Sequence, residues 1–92
     1  MSEMKRKIIE HHLKREIDEM KAQYPEFVID AVFSSKEYKI LNFAVLRYRV
    51  GQMIDHDMDP ELIMNHIYNY KLELYDAVME YSRKAEALES ES

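Results

Sequence analysis

The chain contains no cysteine, no tryptophan, one glycine and two prolines in 92 residues. The lack of cysteine excludes a disulfide framework, a zinc ribbon and a catalytic thiol. A single glycine also excludes a glycine-rich phosphate loop, which needs several glycines at fixed spacing. Scarce glycine and proline combined with 47% hydrophobic residues indicate a folded chain with long helices.

Long apolar runs are absent as well. Residues 1–15 alternate charged and apolar side chains and have neither the apolar stretch of a secretory signal nor that of a membrane-spanning helix. We therefore expect no membrane association and a cytoplasmic location. The length predicts a single helical domain over residues 1–92, in which residues 89–92 form a frayed C-terminal tail.

The best-marked element is a long last helix, from Asp59 to about Glu89. Asp59 is a favourable N-cap, and Pro60 at the first helical position lacks an amide that would have no partner there. The run to Leu88 contains no glycine or proline and extends about 43 Å at 1.5 Å per residue. A compact globule of this length has a diameter of roughly 32 Å. The helix is thus predicted to overhang its domain or to be covered by a second chain.

This last helix has two apolar faces. The first is predicted to face the core and comprises Ile63, Ile67, Tyr70, Leu74, Ala77, Val78, Tyr81, Ala85 and Leu88. The second apolar face lies about 140° around the helix and comprises Met64, Tyr68, Leu72, Tyr75 and Met79. Either another helix of the same chain covers it or it binds another protein chain. We favour partner binding, because the helix is longer than a compact domain of this chain length. Tyrosine and methionine are also enriched at the cores of interfaces.

The rest of the chain also favours helices. An apolar seam with helical spacing predicts a first helix over residues 3–23, and Pro25 interrupts it. A short helix over residues 25–33 and a longer one over residues 35–56 follow, the latter indicated by Ser34 and Glu37 as a capping box. Gly51 in the longer helix marks either a close crossing or the helix end. The predicted fold is an all-α bundle of three long helices plus one short helix.

An α-β-β-α order is the alternative fold. Residues 27–33 and 38–50 are rich in β-branched and aromatic side chains, which are typical of strands. A hairpin would then turn across Ser34, Ser35 and Lys36. None of these is the glycine that tight hairpin turns favour, so the helical interpretation is preferred.

Charge is unevenly divided along the chain. Residues 1–50 carry 10 basic and 8 acidic side chains, whereas residues 51–92 carry 3 basic and 10 acidic ones. Opposite charges on the two halves can attract each other within one chain or between antiparallel copies.

Sites for metals and catalysis find little support. Asp55, Asp57 and Asp59 alternate as in the first half of a calcium loop, but Pro60 and His66 stand where that loop needs glycine and glutamate. The aspartates are therefore predicted to form a turn and a helix cap. The four histidines lack the spacing of a shared metal site, and we predict no metal, no cofactor and no catalytic residue.

The predicted function is a non-enzymatic protein-protein interaction module. It would act as a small acidic regulator, adaptor or inhibitor of an unidentified protein partner through the second apolar face, and form a homodimer. The alternative is a nucleic-acid-related protein. It would either mimic a nucleic acid through an acidic surface of Glu73, Asp76 and Glu80, or bind one weakly through Arg47, Tyr48 and Arg49. The net charge of −5 counts against both: it repels a polyanion, and a strong nucleic-acid mimic would be more acidic.

Overall fold

A computed structural model describes residues 2–91, of which 87% are helical and none lies in a strand, so the all-α prediction is confirmed and the α-β-β-α alternative is wrong. The four α-helices are α1 (Glu3–Gln23), α2 (Glu26–Ser34), α3 (Phe43–Asp55) and α4 (Pro60–Glu91), and a 3-10 turn (Lys39–Leu41) precedes α3. Residues 89–91 of the predicted frayed tail are helical, whereas Met1 and Ser92 lie outside the described residues.

Local capping explains where three of the helices begin. The Ser2 hydroxyl accepts a hydrogen bond from the Lys5 amide, 3.2 Å away, at the start of α1. Pro25 occupies the N-cap position of α2. The Asp59 carboxylate accepts a hydrogen bond from the Glu61 amide at 2.9 Å, as an aspartate N-cap should. The predicted starts of the first, second and last helices are therefore confirmed to within one residue.

The predicted start of the third helix is wrong, because the two serines close α2 instead. The Ser34 hydroxyl donates to the Asp30 carbonyl at 2.7 Å, and the Ser35 hydroxyl donates to the Val32 carbonyl at 2.8 Å. Residues 35–42 form a turn and the 3-10 turn, and α3 begins only after Asn42. The Asn42 side chain caps α3 by accepting a hydrogen bond from the Val45 amide at 3.0 Å.

The end of α3 is a Schellman motif, the commonest way of satisfying the last carbonyls of a helix. The Met58 amide donates to the Met53 carbonyl, and the Asp57 amide donates to the Ile54 carbonyl, both at 3.0 Å. Asp57 adopts the required left-handed conformation, with φ of 55°. The sharp reversal leaves only residues 56–59 between α3 and α4.

Side-chain contacts establish the directions of the long helices. Arg6 pairs with Asp55 at 3.2 Å at one end of α1 and α3, and the Lys21 ammonium lies 5.6 Å from the centroid of the Phe43 ring at the other. These two helices are therefore antiparallel. The Phe43 and Tyr70 rings lie 6.4 Å apart at the opposite end of α3 from the 56–59 turn, so α3 and α4 are also antiparallel. It follows that α1 and α4 run parallel.

The core is built around α4, against which α1, α2 and α3 all pack. Six residues of the first apolar face are buried, and the core-facing prediction is confirmed for Ile63, Ile67, Tyr70, Leu74, Ala77 and Val78. The Tyr70 hydroxyl also donates to the Leu41 carbonyl, which ties the 3-10 turn to α4. The first apolar face therefore determines how α4 is rotated within the bundle.

The C-terminal part of α4 projects beyond the bundle. The protein measures 57 × 22 × 18 Å, with a radius of gyration of 15.4 Å, against about 12 Å for a compact chain of this length. Tyr81 and Ala85 are only half-buried, and Leu88 is 68% exposed. The core-facing prediction is thus wrong at Leu88, because α4 has passed the last element that could cover it.

Neither interpretation of Gly51 is correct, since it lies inside α3 and a Cβ built on it meets no atom within 4 Å. We expect Gly51→Ala to raise the free energy of unfolding by about 1 kcal/mol, because glycine costs that much in a helix interior. Urea unfolding measures the change. The exposed neighbour provides the control, as Gln52→Ala replaces one good helix former by another. A lower stability for Gly51→Ala would contradict this account.

Candidate protein interaction surface

The second apolar face of α4 is exposed to solvent over most of its length. Tyr68, Leu72, Tyr75 and Met79 retain between 42% and 59% of their accessible surface, and Met64 packs partly against the core. Residues 38–50 do not cover it, because they lie along the other flank of α4. There, Val45 and Arg49 of α3 line a groove with His66 and Glu73 of α4. The structure thus leaves four neighbouring large apolar side chains exposed on one rigid helix.

An ion pair between the buried Glu16 and the half-buried Lys71 forms the border between this face and α1. The Lys71 ammonium lies 2.6 Å from a carboxylate oxygen of Glu16, which is buried, and His12 lies 3.8 Å from the other oxygen. The Lys71 ammonium beside it holds the pKa of Glu16 below its usual range, and the Glu16 carboxylate in turn raises the pKa of Lys71. Both charges are therefore retained, and α1 is held alongside the second apolar face.

Tyr24, at the C-terminal cap of α1, extends the surface near its middle. Burial raises the pKa of the half-buried Tyr24 hydroxyl, and Tyr75 adds to the rise. Because α1 and α4 run parallel and Glu16 lies beside Lys71, Tyr75, one turn after Lys71, lies level with the last turns of α1. The sequence signal for this neighbour was its place as the last residue of the apolar seam of the first helix.

The predicted acidic surface lies on the opposite flank and is partly engaged within the chain. The Tyr38 hydroxyl donates to the Glu80 carboxylate, and the Lys84 ammonium lies 3.3 Å from the same group. Both contacts lower the pKa of Glu80, and the hydrogen bond to Glu80 raises the pKa of Tyr38 to about 12. Lys84 also lies 3.4 Å from Glu37. Glu73 and Asp76 are exposed, whereas Glu80 helps to attach the segment after α2.

The structure does not bring Arg47, Tyr48 and Arg49 together on one surface. Successive residues of a helix point about 100° apart. Arg47 lines a groove between α3 and α1, and Arg49 lines the groove between α3 and α4. Tyr48 is exposed between them. The two cations therefore lie on either side of the aromatic ring and face different neighbours.

The three alternating aspartates each have a structural role. Asp55 pairs with Arg6, Asp57 occupies the left-handed position of the Schellman motif, and Asp59 caps α4. No group of three or more histidine, aspartate or glutamate side chains that could hold a metal ion occurs within residues 2–91. Over the same range, no helix combines the length and apolar character needed to cross a membrane.

A smaller apolar patch on α1 was missed by the sequence analysis. Met4 and Ile8 lie one turn apart and are both exposed, and they form a shallow depression with Lys7 and His11. Their four-residue spacing, outside the apolar seam of the first helix, was a signal that could have identified them. Two such residues make a far smaller surface than the second apolar face.

Comparison with known proteins gives no further guidance: no protein-family model matches the chain, and neither curated protein sequences nor solved structures contain a significant match.

The Glu16–Lys71 pair predicts a pH dependence of stability. Since the pKa of Glu16 is lower in the folded protein, its contribution to stability is present above about pH 4.5 and is lost as the pH falls through the folded pKa. We expect Glu16→Gln to flatten the fall in the free energy of unfolding between about pH 5 and pH 3. Urea unfolding at several pH values measures the slope, with the exposed Glu10→Gln as control. An unchanged slope in Glu16→Gln would contradict the assignment.

Proposed function

We propose that this protein is a non-enzymatic protein-protein interaction module, a small acidic helical regulator, adaptor or inhibitor that acts in the cytoplasm. It binds a protein partner through the second apolar face. The observation that carries this proposal is the exposure of Tyr68, Leu72, Tyr75 and Met79 on a helix whose opposite side forms the core. Four large apolar side chains exposed to water do not stabilise a monomer, whereas the same side chains stabilise a complex when its interface removes them from water.

The support of this surface suits it to recognition. The second apolar face belongs to the helix on which every other helix packs, so its backbone is ordered before a partner arrives. Binding to a preformed surface avoids much of the entropic cost of ordering a loop. Tyrosine and methionine also make good interface residues, since tyrosine is large and has few rotatable bonds and methionine adapts its shape.

The size of the surface indicates a reversible complex. Complete burial of a side chain of this size contributes about 1.5–3 kcal/mol, so four side chains that are about half-exposed contribute roughly 3–6 kcal/mol. A matching surface on the partner roughly doubles this figure. Association costs about 4–15 kcal/mol. The balance favours a complex that forms and dissociates readily, as a regulator or adaptor requires.

The nucleic-acid alternative has less support. A basic binder would need Arg47, Tyr48 and Arg49 to act together, and they face different grooves and solvent. An acidic mimic would need Glu80 to be available, and that group is bonded to Tyr38 and Lys84. A DNA or RNA affinity that falls steeply as salt increases would favour the basic binder over our proposal.

A matched pair of substitutions on α4 tests the proposal. Leu72 and Leu62 have similar exposure, at 49% and 54%, but only Leu72 belongs to the second apolar face. We expect Leu72→Asp to reduce partner capture at least about tenfold, since a charge at the centre of an apolar interface must be desolvated without a counter-charge. Leu62→Asp should capture as the wild type does. Quantitative mass spectrometry of the proteins captured from the source cells measures the difference. The cell's own copy of this protein is counted among the possible partners.

Circular dichroism serves as the folding control. Equal helical content in the wild type, Leu72→Asp and Leu62→Asp would show that a difference in capture reflects binding and not misfolding. Capture that is the same for all three would contradict the proposal. Capture that is lost in both variants would place the binding site elsewhere on α4.

A further inference from the structure

The residue types of the second apolar face occur in the same order from either end of the helix. Its side chains follow the order Met64, Tyr68, Leu72, Tyr75 and Met79, in which the two tyrosines and the two methionines are both centred within one residue of Leu72. In a two-fold interface, residue i of one copy meets residue j of the other, and j meets i. An antiparallel pairing centred on Leu72 therefore sets methionine against methionine, tyrosine against tyrosine and leucine against leucine. This face is complementary to itself in both size and chemistry.

From this symmetry, and resting on the proposed function, we propose that the partner is a second copy of this chain. The two α4 helices pack antiparallel through their second apolar faces, about a two-fold axis at Leu72. Leu72 then contacts the partner's Leu72. Tyr68 lies level with the partner's Tyr75, and Met64 lies level with the partner's Met79.

The charges beyond both ends of the face select the antiparallel direction. Glu61 lies eleven residues before Leu72 and Arg83 lies eleven residues after it. Eleven residues are about three helical turns, so both side chains project on the same side of α4 as Leu72. Both are exposed, and neither belongs to an ion pair within residues 2–91. An antiparallel pair sets Arg83 against the partner's Glu61, at two places. A parallel pair would bring like charges together.

The ion pair at the border removes the main electrostatic obstacle to this arrangement. Lys71 is adjacent to Leu72 and so lies near the proposed axis, where two copies would bring two ammonium groups close together. In each copy the buried Glu16 lies 2.6 Å from that ammonium and compensates its charge. The pair within each chain thus allows the two second apolar faces to approach.

In this dimer the acidic C-terminal end of α4, which projects beyond the bundle, lies beside the basic start of the partner's α1. Glu86 lies fourteen residues after Leu72, and in the antiparallel pair it is level with the partner's 56–59 turn. The start of α1 is close to that turn, because Arg6 pairs with Asp55. Lys5 and Lys7 are exposed there. The acidic end of one chain therefore meets the basic beginning of the other, as the uneven division of charge along the sequence would favour.

Single-cysteine variants test the proposal sharply, because the chain has no cysteine of its own. A disulfide needs Cα atoms within about 7 Å. We expect Leu72→Cys to form a disulfide-linked dimer under mild oxidation. Met64→Cys alone and Met79→Cys alone should not, since each lies about 22 Å along the helix from its own counterpart. A mixture of these two variants should form a mixed disulfide dimer, identified by its mass.

Leu62→Cys is the matched control, because Leu62 is equally exposed on α4 but lies off the second apolar face. It should remain a monomer on oxidation. Self-linkage of both Met64→Cys and Met79→Cys would indicate parallel helices and overturn the proposed arrangement. Linkage of Leu62→Cys as extensive as that of Leu72→Cys would mean that random collisions are being trapped, and would also overturn it.

Light scattering over a dilution series tests whether the protein forms a dimer in solution, and needs no cysteine substitution. We expect the wild type to have the mass of a dimer at high concentration, and Leu72→Asp to raise the dissociation constant at least about a hundredfold, since two carboxylates would meet at the axis. Leu62→Asp should leave the dissociation constant unchanged. A wild type that is monomeric throughout would overturn this inference. Capture of a different protein in a Leu72-dependent manner would still uphold the proposed function, so the two failures are distinguishable.

Discussion

The burial of the first apolar face of α4 is the constraint on which the rest of the structure depends. The helices α1, α2 and α3 all pack against α4, whose first apolar face is buried. Its burial determines the rotation of α4 about its own axis. The second apolar face lies about 140° away on the same rigid cylinder, so it is directed outward once the first face is covered. The candidate surface is exposed as a consequence of the core.

Polar contacts then define the limits of that surface. On one flank the ion pair between the buried Glu16 and the half-buried Lys71 connects α1 to α4. On the other, Tyr38 and Glu37 attach the segment after α2 to Glu80 and Lys84. A buried charge such as that of Glu16 is tolerated only because it has an oppositely charged partner. Between these two sets of contacts α4 carries the exposed side chains of Tyr68, Leu72, Tyr75 and Met79. The exposed polar side chains of Asn65, Asn69 and Asp76 border them on the side away from α1.

Helix starts are predictable from the sequence where one local capping signal is strong, and are mispredicted where two such signals compete. Asp59 with Pro60 had no rival as a helix start, and α4 begins there. The segment between α2 and α3, however, contains two signals for a helix start. One is the capping box of Ser34 and Glu37, and the other is Asn42 as an N-cap. Tertiary contacts decide between them, since Glu37 faces Lys84 and the Leu41 carbonyl accepts a bond from Tyr70. Leu88 shows the same limitation, because periodicity persists in α4 after its neighbours have ended.

The sequence by itself determined the helical class, the extent of α1 and the presence of two apolar faces on the last helix, because these follow from capping, propensity and spacing along one chain. Only the tertiary structure decided which face is covered, and that Arg47 and Arg49 line different grooves. The reason is that coverage depends on the lengths and directions of neighbouring helices. Since α1 runs parallel to α4 and α3 packs on the opposite flank, no element within residues 2–91 reaches across the second apolar face.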